Sequence, residues 1–90
     1  MIHATLSAGV KSGWHHHADR HTYGYVVKGH AIGEYGPDRK LLELNTGDFY
    51  YTAPGVVHSG ENPTDEDTII IESFVGTGPL VVNVDSPEAE

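Results

Sequence analysis

Apolar and polar residues alternate in short runs along this chain, and glycine or proline breaks the pattern every few residues. Successive side chains on a strand point to opposite faces, so this period of two predicts strands. The runs fall at residues 4–6, 13–17, 22–28, 30–35, 40–45, 49–52, 57–61, 68–75 and 80–84. No window sustains a 3.6-residue apolar period over three turns. Many short strands separated by turn signals indicate an all-β sandwich or barrel. Tyr35-Gly36-Pro37-Asp38 predicts a hairpin connection, and Asn45-Thr46-Gly47-Asp48 predicts a second change of direction. The run Ile69-Ile70-Ile71 predicts a strand buried on both faces, or with one face against a partner chain.

Length and charge narrow the picture. Ninety residues predict one domain, placed at residues 1–85, followed by an acidic tail at 86–90 that is disordered or reaches over a neighbour. A domain this small has a thin core, so a metal or a partner subunit is expected to support it. The net charge is −8, with 5 basic residues against 13 acidic ones, which argues against a nucleic-acid surface. No apolar run is long enough to cross a membrane, and Met1 to Val10 carries no leader pattern. A cytoplasmic location is the expectation. There is no cysteine, so disulfides and thiolate metal sites are excluded.

The candidate chemistry lies in the histidines, of which there are seven. On a strand, His15 and His17 share a face and His16 points away. A strand starting near His21 places His21, Tyr23, Tyr25 and Val27 on one face, and Thr22, Gly24, Val26 and Lys28 on the other. The short link Ala18-Asp19-Arg20 keeps His21 near His17. His58 follows the turn Pro54-Gly55, which can swing a strand back across a barrel. Three or four convergent neutral imidazoles are what a divalent transition metal requires. His15, His17, His21 and His58 are therefore the candidate ligands; the other readings of His21 are support of a ligand or contact with substrate, and His16 takes its place if a register shift or bulge turns it inward. Tyr23, Tyr25 and Tyr51 are candidates for lining a pocket or for core packing. Arg20 is an anchor for an anion or an exposed loop residue. Glu72 and Glu61 are candidate bases whose direction alternation does not decide.

Two stretches resemble the motifs of the cupin superfamily. The first is Gly13-Trp14-His15-His16-His17-Ala18-Asp19-Arg20-His21, continuing to Gly29. The second is Gly47-Asp48, a short strand, then Pro54-Gly55-Val56-Val57-His58 and Asn62. The resemblance implies a single-domain jelly-roll barrel with His15, His17 and His58 as metal ligands. It places His21 where many cupins carry a glutamate ligand, which would leave a bound cation with more of its positive charge. By analogy it implies one divalent metal per chain, iron first, with manganese, nickel, zinc or copper as the other choices. The expected partner is a small organic molecule, and the expected activity is a metal-dependent dioxygenase or, alternatively, a non-catalytic binding or sensing module. A homodimer is expected to cover the sheet edges that so short a chain leaves open.

Overall fold

The alternation resolves into nine strands and, among the described residues, no helix. The structure is a computed structural model that describes residues 1–86; the remainder of the expected tail lies outside the described residues. The strands are β1 (Ile2–Leu6), β2 (His15–His16), β3 (His21–Lys28), β4 (His30–Tyr35), β5 (Lys40–Asn45), β6 (Phe49–Thr52), β7 (His58–Glu61), β8 (Thr68–Val75) and β9 (Val82–Asn83). They form two antiparallel sheets, ordered β1-β8-β3-β6 and β5-β4-β7-β2-β9. Consecutive strands mostly lie in different sheets or skip a neighbour, as in a jelly roll.

Where the pattern is strongest, prediction and structure coincide within a residue, as in β4, β5, β6 and β8. The predicted hairpin at 35–38 joins β4 to β5, with Tyr35 opposite Lys40. The turn at 45–48 closes with Asp48 N donating to the Asn45 carbonyl at 2.9 Å and Asn45 N donating to Asp48 Oδ2 at 2.7 Å. Three predicted strands shrink. The run at 13–17 pairs only at His15 and His16, because Gly13 enters with φ 80° and His17 already turns toward Arg20. The runs at 57–61 and 80–84 shorten to β7 and β9.

Side chains from both sheets meet in a small core. Val26, Ala31 and Leu44 are buried, with Leu6, Tyr50 and Ile70 packed against them. On β8 the inward residues are Thr68, Ile70, Glu72 and Phe74, opposite Leu6, Ala4 and Ile2 of β1 and opposite Val26, Gly24 and Thr22 of β3. Ile69 and Ile71 face outward and are half-buried. Much of the interior is polar and, Thr22 Oγ1 apart, the buried polar side chains among the described residues are paired. Asn62 is fully buried; its Nδ2 donates to the carbonyls of Leu6 (2.8 Å) and Glu66 (2.7 Å), and its Oδ1 accepts from Thr64 N and Oγ1. That one amide ties β1 to the loop following β7.

Candidate metal centre

Three histidines converge at one end of this interior. β2 and β7 are neighbours, and His15 stands directly opposite His58. His17 lies two residues further on the same face as His15. One ligand nitrogen from each of His15, His17 and His58 lies within 4.8 Å of the others. The ring centroids are 4.4 to 5.1 Å apart.

Each ring is held by its other nitrogen. His15 Nδ1 donates to the Gly13 carbonyl at 2.8 Å, His17 Nδ1 to the Leu80 carbonyl at 2.6 Å, and His58 Nδ1 to the Val56 carbonyl at 2.9 Å. A carbonyl only accepts, so all three protons sit on Nδ1 and the Nε2 lone pairs are turned to the centre. Such outer hydrogen bonds set the tautomer and orientation of metal-binding imidazoles. His17 Nε2 and His58 Nε2 are 3.2 Å apart. With both Nδ1 atoms already donating, two neutral rings would face each other lone pair to lone pair. Two ligands at about 2.1 Å from one ion and 90–110° apart stand about 3.0–3.4 Å from each other, so this spacing fits a shared divalent cation.

The electrostatics agree with neutral rings. Burial pushes His58 down to about 4, a shift its bond to Val56 only partly opposes, and His15 and His17 lower it further. Burial also lowers His15, against a smaller upward pull from the Gly13 carbonyl and from Glu72. Imidazoles that resist protonation remain available as ligands near neutral pH.

The triad opens onto a cavity of about 150 Å³ between the sheets. Leu6, Ala31, Leu44 and Ile70 form an apolar wall. Two tyrosines enter it over glycines. Tyr35 stacks on His58, with centroids 5.4 Å apart and planes within 16°, and a Cβ on Gly33 would stand 2.8 Å from its ring. Tyr50 lies across Gly24, where a Cβ would fall 2.0 Å from the phenol ring. Its hydroxyl donates to Glu72 Oε2. Burial and the Glu72 carboxylate push the Tyr50 phenol far above its ordinary range, so it remains the donor.

The family model for the cupin domain matches residues 2–74. The chain belongs to the cupin family. Among solved structures, this cupin resembles a Cupin 2 conserved barrel domain protein from Salinispora arenicola (25% identity over 83% of this chain and 60% of that one, TM-score 0.73). It shares the fold of an oxalate decarboxylase from Lactobacillus farciminis solved as a formate complex (20%, covering 91% and 25%, TM-score 0.81). It also shares the fold of Drosophila melanogaster CENP-C bound to CAL1 (14%, covering 81% and 59%, TM-score 0.76). The chain spans less than two thirds of the length of each. No curated protein matches it.

The structure brings together three of the four expected ligands and leaves His21 out. His21 is exposed on the outer face of β3, with Nδ1 2.6 Å from the Tyr51 hydroxyl. Tyr23 (52% exposed) and Tyr51 (49%) share that outer face with Tyr25, and none of them lines the cavity. The cause is the choice of face: Thr22, Gly24 and Val26 are the inward set. Thr22, seven residues before Gly29, takes the inward position beside His21; it is 1% exposed, with an Oγ1 that has no hydrogen-bond partner. His16 stays off the triad and accepts from Ala18 N through Nδ1. Arg20 clamps the Gly78 carbonyl through Nε and Nη2 at 2.8 and 2.6 Å. Tyr35 and Tyr50 were not expected in the pocket. The signal for Tyr50 was Gly24, a gap in a strand that a large neighbour fills.

Proposed function

We propose that this cupin binds one divalent transition metal through His15, His17 and His58 and acts on a small organic molecule in the adjoining cavity. The observation that carries this reading is the convergence of three imidazoles, one nitrogen of each within 4.8 Å of the others, with every Nδ1 bonded to a carbonyl. Three protein ligands leave coordination positions open, the arrangement of catalytic rather than structural sites. A bound ion would supply Lewis acidity or, if it is iron, redox chemistry toward dioxygen. The residues of the chain orient that site: Tyr35 stacks on the face of His58, and Leu6, Ala31, Leu44 and Ile70 give the cavity an apolar wall.

A non-catalytic binding role is the second reading. It is favoured by the pocket's one carboxylate, Glu72, being engaged by Tyr50 instead of standing free as a base. Elemental analysis of protein purified without an affinity tag tests the centre, and turnover of candidate substrates separates the two readings. About one metal ion per chain is expected, falling to near zero in His58→Ala. Equal metal content in the variant would remove His58 from the ligand set.

We also propose a homodimer in the cytoplasm, formed through the outer face of the four-stranded sheet. Tyr23, Tyr25, Phe49, Tyr51, Ile69 and Ile71 stand there, with Phe49 78% exposed. None of these six is charged in a chain of net charge −8, and the exposed Lys28 and His21 stand at the two ends of β3 on that face. Depletion of charge with enrichment of aromatic residues marks interface cores.

A further inference from the structure

The cavity's lining carries information about what it accepts, and this inference rests on the site reading given above. Its apolar wall faces a single acidic group, Glu72, and none of the described lining residues is a lysine or an arginine. Glu72 is a built feature. It stands opposite Gly24 on β3, Gly24 stands opposite Tyr50 on β6, and the missing Cβ of Gly24 lets the Tyr50 ring lie down and donate to Glu72. The carboxylate is therefore held in one orientation at the cavity surface, on the β8 side. The triad is contributed by β2, β7 and the residues following β2.

With a metal on the triad, the cavity holds two groups of opposite chemistry. The triad end takes a lone pair when it holds a metal; without one, its three Nε2 atoms are themselves acceptors. The Glu72 end takes a proton donor, because an ionised carboxylate only accepts and has about four lone-pair sites, of which Tyr50 uses one. A small dicarboxylate placed here would satisfy the first end and set its second carboxylate against Glu72, with no cation from the chain to separate them. Like charges at close range disfavour such a pose by a large factor. Size adds a limit, since a cavity of about 150 Å³ accommodates a molecule about as large as benzene.

We infer that the cavity selects a neutral molecule of about benzene size, with an apolar body and an O–H or N–H group directed at Glu72, in preference to small carboxylic acids. Phenol and toluene differ by one hydroxyl at nearly equal volume, and oxalate supplies the anionic alternative. Binding of the three is measured by ligand-observed NMR, on metal-free protein and on protein loaded with zinc, for the wild type, Glu72→Gln and Tyr50→Phe. A hydrogen bond to a charged group discriminates by roughly tenfold or more. Phenol is expected to bind at least about tenfold more tightly than toluene or oxalate to the wild type. Glu72→Gln is expected to shrink the preference over toluene and to admit oxalate, whereas Tyr50→Phe, which keeps the charge of Glu72 but releases its orientation, is expected to weaken the preference over toluene and still exclude oxalate. Circular dichroism of each variant shows that the barrel has folded.

Oxalate binding to the wild type as tightly as phenol, or discrimination unchanged in Glu72→Gln, overturns the inference. Zinc uptake without any phenol binding also overturns it and leaves the metal centre standing. Failure to take up zinc or any other metal overturns the centre instead, while phenol discrimination by the metal-free protein that depends on Glu72 still supports the inference.

Discussion

Acidifying the metal-free protein should destabilise it through His58. In the unfolded chain this imidazole takes a proton near the ordinary value of 6.5, whereas in the folded chain it does so only at about 4. The cause is chiefly desolvation, with His15 and His17 adding a smaller effect. Between those two pH values the unfolded state binds the proton and the folded state does not, so stability declines as pH falls. The contribution is complete above 6.5, shrinks through the window and is lost by about pH 4. The separation corresponds to about 3 kcal/mol, and His15, also lowered, acts in the same direction. For a domain of this size, that is a fall in Tm on the order of 15 °C. Acidification also protonates carboxylates in a chain of net charge −8 and relieves their repulsion, which works the other way. A comparison with His58→Asn isolates the imidazole, since the asparagine Nδ2 can replace Nδ1 as the donor to Val56. The assay is urea unfolding after chelation, followed by circular dichroism and by the fluorescence of Trp14, the single tryptophan. From pH 7 to pH 4 the wild type should lose about 3 kcal/mol more than the variant. Parallel pH profiles for the two proteins would refute the reasoning.

Other substitutions probe the features that shape the site. Gly24→Ala forces the Tyr50 ring off its bed and should cost about 1–3 kcal/mol; the same change in a Tyr50→Leu background should cost less, and an equal cost in both would show that the ring is not what Gly24 accommodates. Asn62→Ala leaves the Leu6 and Glu66 carbonyls without their donor and should cost about 2–4 kcal/mol in urea unfolding; a loss below about 1 kcal/mol would mean that water replaces the amide. Phe49→Asp places a charge in the proposed interface and should halve the mass measured by light scattering, with the fold retained by circular dichroism.

Much of the architecture was legible because alternation and turn residues report strands directly. Lys40–Asn45 is a leucine-rich run that ends at a turn whose Asp48 side chain caps it, so both its existence and its boundary were readable. The spacing of His15 and His17 likewise determined that they share a face. Direction was harder. β3 reads Tyr23 and Tyr25 on one face and Thr22, Gly24 and Val26 on the other, and aromatic residues look like the interior. The inward face is instead the smaller set, because Tyr50 from the next strand fills the room above Gly24. β6, Phe49-Tyr50-Tyr51-Thr52, has three aromatic residues in a row, so hydrophobicity alone does not distinguish the buried Tyr50 ring from its exposed neighbours. Glu72 was named as a candidate whose direction alternation left open; pairing with Gly24 and Ile2 turns it inward.

The bond between His17 and the Leu80 carbonyl spans 63 positions of the chain. On the ribosome, residues 15 and 17 emerge long before the group that orients one of them, and β1 must likewise wait for β8. Until residue 80 has left the exit tunnel, the His17 imidazole lacks its anchor, and a passing ion meets only scattered, mobile side chains. An ion that the triad could hold would therefore find it assembled only after residue 80 has emerged, well after the strands that carry the histidines.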